Sequence, residues 1–361
     1  MNNIEHVLDK NNLTRDDLIK LLSLTEKENI EKLRQRSYLI KEENGGKTVY
    51  FRGLIEIGNN CEKDCFYCGI RKSNKDVNRY FMKREEIIKA AMFSYKSGYG
   101  SIVMQSGEIS DPNYTIFIEK IIKDIKNMTN NELAITLSLG EQKSEVYKKW
   151  FDAGADRYLL RIETTDRNLY EKIHHKNQDF DFRMECLENL KKIGYQVGTG
   201  VMIGLPSQSL KNLADDIMFF KNIDIDMIGM GPFIPASHTP MYDSIKNFEN
   251  IKKQQVELAL KMIAVTRIVL KDVNIAAATA LQSLDDFGRE KAIMYGANVI
   301  MPNVTDIKYR KEYILYDNKP CINESKKQCK GCLESRIKKI GENIGFDKQG
   351  NSLHFLRRNQ G

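Results

Sequence analysis

Cys61, Cys65 and Cys68 stand in the spacing C-x3-C-x2-C, in the stretch Cys-Glu-Lys-Asp-Cys-Phe-Tyr-Cys. Thiols so spaced can converge on one face of a cubane iron-sulfur cluster and leave the fourth iron without a protein ligand, the kind of open position that catalytic metals keep. A structural zinc knot is the competing chemistry. It asks for four closed ligands, and no local histidine or fourth cysteine completes that set. Cys186 lies on the apolar face of a helical run and reads as a core thiol. Cys321, Cys329 and Cys332 form a second group, C-x7-C-x2-C. Its C-x2-C pair opens onto LESRIKKIGENIG, where a helix N-terminus would lower thiol pKa and favour a metal. An auxiliary cluster, a zinc ion and a vacant site all remain open there.

Composition narrows the setting. The chain has 361 residues, 41% hydrophobic and 29% charged, which suits a soluble globular protein and argues against disorder. No apolar run approaches the roughly 18 residues that a membrane span needs, and the polar start MNNIEHVLDKNNL reads as no export signal. Seven cysteines, an odd count in two tight groups, do not make a disulfide framework; in a reducing cytoplasm they hold metal or do redox chemistry. The five histidines are too scattered to build a metal centre, and a net charge of +7 permits anion binding without pointing to nucleic acid. A zinc-bearing nucleic-acid module would carry a basic stripe with interleaved aromatics, which this sequence lacks.

The elements that must position the cysteines recur along the chain. Eight β-rich runs fall at 53–58, 101–108, 133–140, 157–164, 197–206, 227–235, 273–280 and 297–304, and several of the intervening stretches carry helical periodicity. Gly98, Gly154 and Gly194 stand just before strands, as helix stops. Strand and helix alternation means parallel pairing with right-handed crossovers, and eight units in about 250 residues is the count that closes a (β/α)8 TIM-type barrel. An open doubly wound sheet is the alternative, but its GxGxxG fingerprint is missing after the first strand. The α/β barrel is expected over 51–304. Residues 1–50 are read as an amphipathic N-terminal helical cap, with a helix start at Thr14, and 305–361 as a C-terminal extension ending in a frayed basic tail. The first cysteine group then sits just beyond the first strand, on the face where barrel active sites are built.

With the motif in that place, the chain resembles the radical S-adenosylmethionine superfamily. It further resembles the HydE family of FeFe-hydrogenase maturases through FRGLIEIGNNC, FYCGIRKSNKDVNRYFM, SIVMQSGE, ITLSLGE, GADRYLLRIET, MIGLPSQ, DMIGMGPFIPASHTP and GANVIMPN, in that order. Biotin synthase and methylornithine synthase share the cysteine triplet but match SLGE and GPFIP less well. The resemblance implies a 4Fe-4S cluster on Cys61, Cys65 and Cys68, S-adenosylmethionine (SAM) on its open iron, and a 5′-deoxyadenosyl radical. It also implies action on a cysteine-bound iron carbonyl cyanide precursor of the hydrogenase diiron subcluster. An electron donor such as ferredoxin or flavodoxin, and other hydrogenase maturases as partners, follow from the same likeness. A radical SAM enzyme acting on an amino-acid-like substrate is the alternative. In the family, the second cysteine group carries, in some members, a 2Fe-2S or 4Fe-4S cluster.

The same likeness assigns site residues. The backbone around Tyr67 lies by the adenine, and Gln105, Ser106, Gly107 and Glu108 by the SAM amino group. Glu163 is expected on that amino group and Arg183 on the carboxylate. Arg161 and Glu163 share one face at the end of the fourth strand, suited to an amino-acid-like ligand or to pairing with each other. Arg161, Glu163 and Tyr309 are taken as catalytic, and Thr136 and Met227 as further cavity residues. Ile162 stands where a histidine is expected, and Ala278-Thr279 where a Thr-Thr pair is.

Overall fold

The computed structural model describes residues 4–245 and 247–359. Its frame is a curled parallel sheet of eight strands: β1 (Thr48–Gly58), β2 (Ser101–Ser106), β3 (Ala134–Ser138), β4 (Arg157–Leu159), β5 (Gln196–Thr199), β6 (Met227–Ile228), β7 (Asn274–Ile275) and β8 (Val299–Ile300). Neighbours in sequence are neighbours in the sheet, and β8 returns to pair with β1 through Tyr50↔Val299 and Phe51↔Ile300. Between β7 and β8 an Ala276↔Val299 bridge, with Asn298 donating to the Ile275 carbonyl at 2.9 Å, brings the last two strands together. All eight expected runs contain a strand. Two of them continue past it, so that Met202–Ile203 pairs with Gly231–Pro232 as a small separate sheet.

Helices alternate with the strands and bury their apolar stripes against the sheet. The helix Pro112–Met128 shows the pattern, with Ile118, Ile121, Ile122 and Ile125 at spacings of three and four, all fully buried. The helix Phe180–Ile193 stops at Gly194 in the left-handed conformation, and Thr14 caps Arg15–Leu22 through a reciprocal bond with Asp17.

The two ends of the chain depart from expectation. The helices Arg15–Leu22 and Lys27–Gly45 pack on the outer helices Leu210–Asn222 and Phe248–Val269, on the flank of the barrel rather than over an end. The lower opening is sealed by the other terminus. There Arg52 and Asn274 donate to the Gly350 carbonyl, Arg157 to that of Gln349 at 3.0 Å, and Gln196 to Asn351 at 2.8 Å. Four polar side chains at the lower end of the barrel need partners once buried, and the carbonyls of Gln349 and Gly350 with the side chain of Asn351 supply them. Nor is the basic tail frayed: Leu353–Arg358 is a helix whose Arg358 pairs with Asp224 at 2.6 Å and Asp226 at 3.0 Å. Gln360 and Gly361 lie outside the described residues. Among the described residues, no helix is long and apolar enough to cross a membrane.

Candidate active site

A cavity of about 350 Å³ opens at the C-terminal ends of the strands, in the range of small-molecule sites. Cys61, Cys65 and Cys68 line one wall, on the loop that follows β1. Gln105, Ser106, Gly107 and Glu108 enter from the end of β2, Arg161 and Glu163 from beyond β4, and Arg183 from the helix Phe180–Ile193. The end of β2 lies directly on the cysteine loop: Glu62 donates to the Glu108 carbonyl at 2.8 Å, and the Glu108 amide faces Cys61 Sγ at 3.4 Å. Such an approach requires Gly107, because a Cβ there would meet the Asn60 carbonyl at 2.1 Å.

Burial governs the thiols. It pushes Cys61 up, Cys65 up to about 12, and Cys68 well above the usual thiol range, and the neighbouring sulfurs add to it in Cys65 and Cys68. Three such groups become thiolates only opposite a cationic centre, which is what an iron-sulfur cluster supplies. Among the described residues, no three His, Cys, Asp or Glu side chains converge on a point that would hold a single metal ion.

Four charged side chains stand beside the cysteines, three of them buried and Lys63 partly exposed. Lys63 bridges Glu108 at 3.1 Å and Glu141 at 2.6 Å, and Arg183 Nε donates to Glu141 at 2.5 Å while its Nη1 reaches the Arg161 carbonyl at 2.8 Å. Burial pushes Glu141 up, but the Arg183 and Lys63 charges outweigh it and hold the carboxyl below its usual range. Glu108 goes the other way, raised by burial and then by the Glu141 charge. Gly140 makes room for it: its φ is +77°, and a Cβ would meet Glu108 Oε2 at 2.2 Å. Lys63 and Glu141 carry this network and were not singled out from the sequence, although SLGE was quoted as a block.

Glu163 holds a left-handed backbone, φ 68°, that non-glycine residues rarely adopt. Its side chain lies 2.8 Å from Arg161 Nη2, yet neither that nitrogen nor Glu163 Oε2 makes a hydrogen bond. The pairing that sequence alone allowed is therefore present as an ion pair, but its poor alignment leaves the hydrogen-bonding capacity of both buried atoms unused. Burial raises the Glu163 carboxyl, partly offset by Arg161 and then Arg183. The turn after it is fixed by Asp216, whose Oδ1 accepts from Thr165 N at 2.8 Å and Thr165 Oγ1 at 2.6 Å. Tyr67 lines the same wall, with its hydroxyl 3.3 Å from His174 Nε2.

Thr136, Met227 and Tyr309 are elsewhere. Thr136 is one layer too deep: it shares a face of β3 with Ser138, which does line the cavity, but sits level with Arg157 at the barrel's lower end. Met227 opens β6 in register with Asn274 and packs on the Arg52 guanidinium; Met230 reaches the cavity instead. Tyr309 stacks on Tyr80 and donates to Glu86 at 2.8 Å, while Tyr313, one turn on, lines the cavity. Ile162 is fully buried in the main core, and Ala278 and Thr279 line the cavity.

The C-terminal extension contributes a lid that sequence reasoning missed. Tyr313, Leu315, Tyr316 and Lys319 cover the cavity, and Lys319 Nζ pairs with buried Glu56 of β1 and donates to the Tyr313 carbonyl at 2.8 Å. Further along, the thiols of Cys321 and Cys329 adjoin, and Arg289 Nη2 lies 3.7 Å from Cys321 Sγ. Cys329 is buried in the helix Lys326–Lys339, whereas Cys332 is exposed.

Residues 55–220 match the family model of the radical SAM superfamily, whose members use a 4Fe-4S cluster and SAM. The thiol triplet and the Arg161 and Glu163 atoms left without a hydrogen bond fit those groups. The chain is 28% identical to 3-methylornithine synthase of Methanosarcina acetivorans, over 82% of this chain and 81% of that one. The solved structure of methylornithine synthase (PylB) superposes with a TM-score of 0.80 at 23% identity, covering 95% of this chain and 97% of that one, a likeness of fold. This chain is 42% identical to the FeFe-hydrogenase maturase subunit HydE of Thermotoga maritima, over 96% of this chain and 97% of that protein. Identity of that extent, on a barrel whose mouth brings together the three cysteines and the charges around them, places the chain in the HydE family of the radical SAM enzymes.

Proposed function

We propose that this enzyme acts in assembly of the diiron subcluster of FeFe-hydrogenase, on a cysteine-bound iron carbonyl cyanide precursor. The observation that carries the reading is that Arg161 and Glu163, a poorly aligned ion pair, line the same cavity as the cysteine triplet, where a guanidinium and a carboxylate would together suit one amino-acid-like ligand. When bound, the cluster supplies the single electron that splits SAM into methionine and a 5′-deoxyadenosyl radical.

The chain's own residues do the rest. Cys61, Cys65 and Cys68 would hold the cluster from one side. Glu163 and the Gln105–Glu108 segment would take the SAM ammonium, with Arg183, fixed on two sides, beside its carboxylate. Tyr67 would flank the adenine. Arg161 is left for an anionic part of the substrate. Leu54, Leu159, Met230, Phe233 and Ile234 wall the cavity, and the lid residues exclude water from it. Partner maturases would deliver the precursor, and a ferredoxin or flavodoxin the electron. A second cluster on Cys321, Cys329 and Cys332 accords with the adjoining thiols of the first two and with the helix beginning at Lys326.

The test is SAM cleavage by the cluster-loaded protein offered either a cysteine-bound iron carbonyl cyanide complex or free basic amino acids. Stimulation by the complex alone supports the proposal. Stimulation by the amino acids with a rearranged carbon skeleton as product would move the assignment to the methylornithine synthase type.

A further inference from the structure

Gln178 sits in the short connection between the helices Arg167–Ile173 and Phe180–Ile193, and it is buried. Its amide Nε2 lies 3.1 Å from Cys65 Sγ. The orientation of that amide is fixed from its other end. Oε1 accepts the His175 N–H at 3.3 Å, and the backbone N–H of Gln178 in turn donates to the His175 carbonyl at 2.8 Å. A flipped amide would set NH2 against N–H at one end and oxygen against sulfur at the other, so the donor must face the thiol. The connection is also tied to the cysteine loop, since Phe66 donates to the Ile173 carbonyl at 3.0 Å and its ring meets His175 edge-on.

We infer that Gln178 sets the electron affinity of the cluster held by Cys61, Cys65 and Cys68, through its N–H···S bond to Cys65. This rests on the reading of those thiols as cluster ligands. Accepting one electron makes a cluster one unit more negative, and a donor aimed at a ligand sulfur strengthens as that charge grows. The reduced form is thereby favoured, and the amide keeps its proton throughout. Other donors also face these sulfurs: the backbone N–H groups of Glu108 and Lys63 at Cys61 and of Ile70 at Cys68, which side-chain substitution leaves in place, and the Tyr67 hydroxyl at Cys65, which the Gln178 variants retain. Gln178 is thus a tuning residue, with no contact to substrate assigned to it.

The experiment is an anaerobic redox titration of cluster-loaded protein. Dithionite serves as reductant, and the paramagnetic resonance signal of the reduced cluster is followed with and without SAM. Gln178→Met keeps the length and loses the donor, and is expected to titrate at a more negative potential. At the wild-type midpoint its reduced-to-oxidised ratio should fall about tenfold, equivalent to about 59 mV for one electron. Gln178→Glu, which puts a carboxylate oxygen against the sulfur, should shift at least as far in the same direction. Both variants titrating at the wild-type potential with wild-type iron content would overturn the inference. Should Gln178→Met load poorly, Gln178→Glu decides alone. A wild-type protein without a SAM-responsive cluster signal would instead overturn the ligand reading on which the inference stands.

Discussion

Lys319 and Glu56 are 263 residues apart in sequence and meet over the cavity, with side-chain exposures of 7% and 2%. Replacing Lys319 by Met leaves a carboxylate buried without its cation, a change that costs about 3–5 kcal/mol in comparable sites. The Asn303 Nδ2 bond to Glu56 at 3.0 Å survives the change and argues for the lower end. The effect should concentrate in the lid, because the Lys319 segment is held to the barrel by few other bonds: Gly69 N–H to the Leu315 carbonyl at 2.9 Å, Asp317 N–H to that of Pro235 at 3.4 Å, and Ser237 to Asp317. Hydrogen exchange reads the opening of such a segment directly. A loss of about 3 kcal/mol predicts exchange on the order of 100-fold faster at the Gly69 and Asp317 amides, with amides of β2 and β3 little changed. Adding Glu56→Gln to Lys319→Met removes the stranded charge and should restore most of the protection. Exchange at Gly69 and Asp317 within a factor of about two of wild type in the single variant would refute the claim that this pair closes the lid.

Three further outcomes follow. Burial raises the Asp216 carboxyl to about 7, well above its value in an unfolded chain, so its contribution to stability is complete below about pH 4 and is lost as the pH rises through 7. Asp216→Asn, which cannot ionise and keeps an acceptor for Thr165, should therefore gain thermal midpoint relative to wild type from pH 5 to pH 8, and a constant difference would contradict this. Glu163→Gln should weaken SAM binding to the cluster-loaded protein by about 10–100-fold in equilibrium dialysis, the loss of one charge-assisted bond, whereas unchanged affinity would remove Glu163 from the SAM site. Cys329→Ala should lower bound iron by the content of one cluster while 5′-deoxyadenosine formation persists; unchanged iron would leave the second cysteine group empty.

What the sequence disclosed was what is local. The C-x3-C-x2-C spacing, the eight apolar runs and the Thr14 cap each depend on residues near in the chain, and each has its counterpart in the fold. Depth within the barrel was harder to read. A resemblance between blocks places a segment at the cavity but does not count layers, and Thr136, Met227 and Tyr309 each fell two to four residues short of Ser138, Met230 and Tyr313. Lys63, Glu141 and Lys319 were invisible for another reason. As isolated charged residues in polar surroundings they look like surface positions, and only the closing of the barrel and the return of the extension set them against partners 42 to 263 residues away. The lower seal at Gln349–Asn351 belongs to the same class, since nothing in GNSLHF announces that Arg52, Arg157 and Asn274 need its backbone carbonyls and Asn351 side chain.

The central claim is radical cleavage of SAM at the cysteine triplet, and 5′-deoxyadenosine reports it. Protein reconstituted with iron and sulfide under strict anaerobiosis, reduced and supplied with SAM, should form it, and the Cys61→Ala, Cys65→Ala, Cys68→Ala triple variant should not. A variant that forms 5′-deoxyadenosine as fast as wild type, or wild-type protein that holds zinc in place of iron when isolated anaerobically, would contradict the account.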